Sequence, residues 1–267
     1  MFYGGFNTKW KAAKPVAVKS LLLSTAGVFL TGFLTMAFCC VVLKFRFAEG
    51  FLLGAVISCT DAASVFSILR KKKLNLKDGV ASLLEIESGS NDPTAYMLTV
   101  VGISLVNGEN LSTVPYAIFA QIVYGVAIGV VLAAFGIWVL TKTRVVTNGM
   151  YTVFILALVL FGMGFSSLVG GNAFLSIYLL GILMGNSSIR NKKEIIPFFD
   201  GVTGLSQIVI FFLLGLLSFP HKFPYIMGTA IVIALFILLI ARPLTVLLIL
   251  KPFHCSLNQC LLGFVGG

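Results

Sequence analysis

The sequence predicts an all-α integral membrane protein, a multi-span helical bundle, and three observations predict it. Of 267 residues, 58% are hydrophobic and 10% charged, where a soluble domain has about a quarter charged. Apolar runs recur at 20–43, 47–69, 80–106, 114–140, 149–169, 172–186, 200–218 and 224–250, which suggests about eight spans at roughly 20 residues per crossing. Basic residues gather in alternate connections between these runs, as cytoplasmic loops do.

The charge pattern gives the topology. The N-terminal arm holds Lys9, Lys11, Lys14 and Lys19, and the loop after the second run holds Arg70, Lys71, Lys72, Lys73 and Lys77. The same side then receives Lys142, Arg144, Arg190, Lys192, Lys193 and Lys251. Only Lys44, Arg46 and Lys222 fall opposite, and Arg242 lies inside a span. The net charge of +10 is thus a topology signal, with both ends of the chain cytoplasmic. It points to a lipid bilayer as partner and requires no nucleic acid.

Cys39, Cys40, Cys59, Cys255 and Cys260 form no CxxC pair and no disulfide framework. His254 with Cys255 and Cys260 lacks a fourth ligand, so no metal site and no cofactor are expected. The first apolar run follows a basic arm and has no small-residue cleavage pattern, so it does not read as a signal peptide.

Met1 to Thr8 is aromatic and glycine-rich, like the tail of a helix leaving a membrane, and the chain is expected to begin mid-protein. Residues 20–43 carry Thr25, Gly27, Thr31, Gly32 and Thr35, small residues that let helices approach. Residues 47–69 place Asp61 near mid-membrane, with Ser58 and Ser64 three residues to either side on one face. In 114–140, Gly125 and Gly129 make a small-xxx-small packing face. Gly162 and Gly164 in 149–169, and Asn172, Ser176, Gly181 and Gly185 in the short run 172–186, read as helix contacts. Asp200, Ser206 and Gln207 open the next run in an interfacial or N-capping role. In 224–250, Arg242 either snorkels to the headgroups or neutralises an intramembrane acid. Leu257 to Gly267 looks like the start of a ninth span.

The run 80–106 is the exception, apolar at both ends but carrying Glu85, Glu87, Asn91 and Asp92 beside Gly89 and Pro93 in its middle. A charged side chain at a helix centre costs roughly 2.5–3.5 kcal/mol, so several carboxylates there point to an ion or a proton. Helical spacing puts Glu85, Ser88 or Gly89, Asp92 and Tyr96 on one face and Glu87 and Asn91 on another. Pro93 lacks an amide hydrogen, which deprives the Gly89 carbonyl of its helical partner. Read blandly, the segment is a loop between two shorter helices. Two runs with central aspartates, joined by a short basic loop, are better explained by a shared ion site.

The segments Ser58-Cys-Thr-Asp-Ala-Ala-Ser-Val-Phe-Ser-Ile-Leu-Arg70 and Leu83-Leu-Glu-Ile-Glu-Ser-Gly-Ser-Asn-Asp-Pro93 resemble the paired signature of bacterial monovalent cation:proton antiporters of the NhaP type, most of all the potassium/proton branch called CvrA. Weaker similarity extends over nearly the whole chain, including Met1 to Phe6 and Ala241 to Val246. The resemblance implies that Asp92 is the essential carboxylate binding cation or proton, with Asp61, Ser88 and the Thr60 main chain completing the coordination. It implies that Asn91 stabilises the broken region beside Asp61, that an Asn-Asp pair accompanies electroneutral exchange, and that Glu87 and Arg242 form a buried ion pair. Thr-Asp-Ala stands here in place of the Thr-Asp-Pro of many relatives, so a milder break at Asp61 is expected.

The family fold implied has two inverted repeats with broken helices crossing at the ion site. This chain supplies one of them, so it is expected to be a fragment incomplete at both ends and inactive alone. The resemblance also implies a bacterial inner (plasma) membrane location, a role in pH homeostasis and a homodimer in the full-length protein. The partners expected are K+ or Na+ and H+. The mechanism expected is competition: cation and proton cannot hold one carboxylate together, so each leaves as the other enters, with Asp92 and Asp61 titrating as a coupled pair. Two rivals remain. A channel would want a filter repeat, which is lacking. An intramembrane diaspartyl protease would use both aspartates but leaves Asn91 and Glu87 unexplained.

Overall fold

The computed structural model describes residues 1–59, 80–108, 112, 114–142, 150–189 and 192–253, and among them the regular elements are all helical. In chain order these are α1 Phe2–Asn7, α2 Trp10–Ala13, α3 Ala17–Val41, α4 Phe47–Ile57 and α5 Val80–Val106. They continue with α6 Val114–Lys142, α7 Tyr151–Leu168, α8 Ala173–Asn186, α9 Lys192–Leu217 and α10 Pro220–Phe253. By length and composition, α3, α6, α7, α9 and α10 can each cross a membrane, whereas α4 and α8 are shorter apolar helices.

Two groups of helices pack on either side of α5. On one side α3 and α4 meet so closely that a side chain on Gly54 would strike the Gly32 carbonyl. Only a missing Cβ permits that approach, which the small residues of 20–43 anticipate. Next to them α10 stacks Phe236 on Phe38 at 4.0 Å between ring centroids and brings Thr245 Oγ1 within 3.2 Å of Thr31 Oγ1. A core of Leu23, Leu83, Leu84, Val246 and Leu250 closes this group over the start of α5.

On the other side α6, α7, α8 and α1 form a second group. Gly125 and Gly129 of α6 face α8, where the Ser176 hydroxyl donates to the Gly125 carbonyl at 2.8 Å. In turn α8 presents Gly181 and Gly185 to α1, and a side chain on either would run into the carbonyls of Phe2 and Phe6. The apolar centre of this group is Phe2, Phe6, Leu140, Ile155, Leu180, Met184 and Ile195.

The run at 200–218 proves to be the later part of a longer helix beginning at Lys192. Pro197 does not stop it, because Ile195 and Phe199 dock into the core around Phe2 and are almost wholly buried. Asp200 is therefore helix interior and not an N-cap; its carboxylate accepts from the Tyr3 hydroxyl at 3.1 Å. Lys192 donates from Nζ to the Gly185 carbonyl at 2.6 Å, placing a cation at the C-terminal end of α8, where the helix dipole favours one. Burial pushes that ammonium below the usual lysine range.

Candidate ion site

The polar centre of α5 forms because the helix runs on through Pro93 without interruption. On it Ser88 and Asn91 are fully buried, Glu87 is 1% exposed and Asp92 is half-buried. Packing explains how the chain tolerates this. Ala95 and Leu98 of α5 pack with Val28 and Ala55 in one apolar cluster, and Gly102 lets α5 lie directly on Leu52 of α4. These contacts fix the rotation of the helix, and so decide which face the polar residues occupy.

Glu87 meets Arg242. Nη2 of Arg242 donates to Oε1 of Glu87 at 2.7 Å, with the arginine 5% exposed. Glu87 Oε2 and Arg242 Nε have no hydrogen-bond partner among the described residues, so one short charge-assisted bond carries this contact. Arg242 follows a π-helical turn, Ile237–Ala241. Pro243 supplies the cause: its ring clashes with the carbonyl four residues back and its nitrogen donates nothing, so the ladder widens just before it.

Asp92 is held differently. The Cys59 thiol, just past the end of α4, donates to Asp92 Oδ1 at 2.7 Å. On the neighbouring α8, Tyr178 lies against Gly89, where an added Cβ would come within 2.9 Å of its ring, and its hydroxyl accepts from Ser90 Oγ at 3.4 Å. Asn172 caps α8 by accepting from the Leu175 amide at 3.0 Å and uses its Nδ2 to donate to the Pro93 carbonyl at 2.8 Å. Glu87 and Arg242 therefore neutralise each other one turn from a carboxylate that takes a neutral thiol. Thr60 and Asp61 lie outside the described residues, as does the Glu85 side chain.

Sequence reasoning did not single out Cys59, Tyr178 or the reach of Asn172. Cys59 read as a small apolar residue; its place immediately before Thr60-Asp61 was the available signal. One turn beyond Asp92, a cavity of about 400 Å³ opens among Tyr96, Tyr116, Gln121, Tyr124 and Gly171. The Gln121 side chain is 6% exposed, and its Oε1 has no hydrogen-bond partner among the described residues.

Comparison with known proteins decides the family. The family model described as "Sodium/hydrogen exchanger, transmembrane" matches residues 1–267. The chain belongs to that family. It is 35% identical over 268 residues to the K(+)/H(+) antiporter NhaP2 of Shewanella oneidensis, covering 98% of this chain and 46% of the relative. It is 35% identical over 269 residues to the K(+)/H(+) antiporter NhaP of Alkalimonas amylolytica, covering 100% of this chain and 47% of that one. The chain thus spans about half the length of the curated relatives it matches. Its fold is that of the sodium proton antiporter MjNhaP1 from Methanocaldococcus jannaschii, solved at pH 8. The TM-score is 0.86 at 20% identity, covering 98% of this chain and 67% of that one.

Proposed function

We propose that this sodium/hydrogen exchanger chain is the ion-binding part of a secondary active transporter that exchanges a monovalent cation for protons. K+ is the first candidate, because the relatives about one-third identical to it are named K(+)/H(+) antiporters. The observation that carries the reading is the division of labour on α5. Glu87 is locked to Arg242 in the interior, while Asp92 remains half-buried beside a thiol whose bond to it is neutral and displaceable.

An ionised carboxylate offers only acceptor lone pairs. A dehydrated cation and a proton compete for them, so occupancy by one requires departure of the other. Ser88 and Asn91 supply polar groups next to Asp92 on the same helix, and Asp61 with the Thr60 main chain is assigned to complete the coordination. The tyrosine-lined cavity beyond Tyr96 is read as the approach from outside. That reading follows from a topology with about eight spans and both ends of the chain cytoplasmic. The proposed setting is the bilayer of a bacterial inner membrane, with the whole protein a homodimer.

The test uses the complete gene product containing this chain, reconstituted in vesicles with an imposed pH gradient and supplied with K+ or Na+ separately. Exchange should occur and should be abolished by Asp92→Asn, which keeps the volume and removes the titrating charge. Its rate should pass through an optimum in pH, since protons hold the site at one extreme and are too scarce at the other. Robust exchange by Asp92→Asn, or peptide cleavage in place of flux, would overturn the proposal.

A further inference from the structure

We infer that Cys59 is a positioning residue for Asp92, its thiol orienting the carboxylate when the site holds no cation and giving way when a cation arrives. The inference rests on the transport reading above, but its geometry stands independently. Cys59 follows a firmly anchored helix end. Ser58 closes α4 by donating from its amide to the Gly54 carbonyl at 3.0 Å and from Oγ to the Ala55 carbonyl at 2.8 Å. Gly54 is in turn wedged on Gly32. Cys59 itself packs against the cluster of Val28, Ala55, Ala95 and Leu98, which ties α4 to α5 within a turn of Asp92. Both atoms of the 2.7 Å contact are thus placed by packed apolar side chains.

Packing alone would be served by alanine. What the thiol adds is a hydrogen aimed at the oxygen that the cation needs, and a bond of that kind selects one rotamer of the carboxylate. Sulfur is a soft donor and a poor ligand for K+ or Na+, which take oxygen. Cys59 therefore does not join the coordination. A cation on Oδ1 repels the partial positive charge of the S–H hydrogen, so the thiol has to turn away, and its chemical reactivity becomes a report on the site. Against Asp92 stands the Cys59 thiol of the α4 end, while Tyr178 of α8 lies against Gly89 and Ser90 just before it on α5.

The experiment follows alkylation of Cys59 by N-ethylmaleimide in the reconstituted protein, with the modified residue identified by peptide mass mapping. Alkylation requires the thiolate, which a neighbouring carboxylate disfavours. With choline as the only external cation, Asp92→Asn should therefore speed the reaction at least about threefold. K+ should speed it in the wild type and leave Asp92→Asn unchanged. In transport, Cys59→Ala should raise the KM for cation several-fold with a smaller change in kcat, and Cys59→Ser, which keeps a donor, should restore it.

Equal alkylation of wild type and Asp92→Asn overturns the inference, even in a protein that exchanges ions, and so do identical Ala and Ser variants. Alkylation that depends on Asp92 in a protein showing no exchange supports the positioning contact and refutes the transport reading. Alkylation indifferent to K+ in an exchanging protein overturns the displacement.

Discussion

Glu87 and Arg242 offer the sharpest test of how this fold tolerates charge. In Glu87→Gln the volume is kept while the guanidinium, 5% exposed in the native state, loses its counter-charge. Breaking a buried pair from one side costs about 3–5 kcal/mol, in line with the roughly 2.5–3.5 kcal/mol assigned to a lone charge at the centre of a membrane helix. Adding Arg242→Met removes the stranded charge. The native pair is held by one 2.7 Å bond, with Glu87 Oε2 and Arg242 Nε unpartnered among the described residues. Attraction therefore offsets desolvation only in part, and the double variant should lie within about 1 kcal/mol of wild type. Reversible unfolding in mixed micelles, titrated with denaturing detergent, would give all four corners of the cycle. With each single substitution costing about 3–5 kcal/mol and the double within about 1 kcal/mol, the coupling energy should be at least about 5 kcal/mol. Additive effects of the two substitutions would refute the reasoning.

Other outcomes follow from the packing and the charge pattern. Asn172→Ala removes both a helix cap and the donor to the Pro93 carbonyl; the cap alone is worth about 1 kcal/mol, and unfolding titrations should show a loss of about 2 kcal/mol. Gly185→Val drives a side chain into the Phe6 backbone and should destabilise by about 1–3 kcal/mol or more. Gly164→Ala, with nothing within 4 Å, should be neutral or mildly stabilising in the same titration. Cys255 and Cys260 should react with an impermeant thiol reagent only from the cytoplasmic side; labelling from outside intact cells would reverse the proposed topology.

Legibility in the sequence differed from element to element. The bounds 80–106 coincide with α5 because the apolar run ends at Asn107-Gly108, where Gly108 takes a φ of +74° and turns the chain. The start of α9 was not visible. Lys192 and Lys193 read as part of a cytoplasmic connection, whereas the docking of Ile195 and Phe199 extends the helix upstream. Gly125 and Gly129 advertised a packing face through their spacing, but nothing local named α8 as the partner. The same holds within the site. Its acids stand out as charges in an apolar run, while the Cys59 to Asp92 bond joins residues 33 positions apart and the Asn172 to Pro93 bond residues 79 apart. Such contacts exist only once helices have packed. Glu87 and Arg242, 155 positions apart, were matched through family resemblance, since neither residue's neighbours point to the other.

The backbone seam between α1 and α8 also sets a clock on assembly. The Trp10 amide is received by the Asn186 side chain, 176 positions later, and Asn186 donates to the Thr8 carbonyl across 178. At about 5–20 residues per second, α1 leaves the ribosome on the order of 10–30 s before the helix that will clasp it exists. Over that interval Gly5, Phe2 and Phe6 of α1 have no α8 to pack against. A substitution that lets α1 settle elsewhere during this wait would lower the yield of folded protein without weakening any native contact. Such variants should be recognisable by normal stability in the small folded fraction that survives.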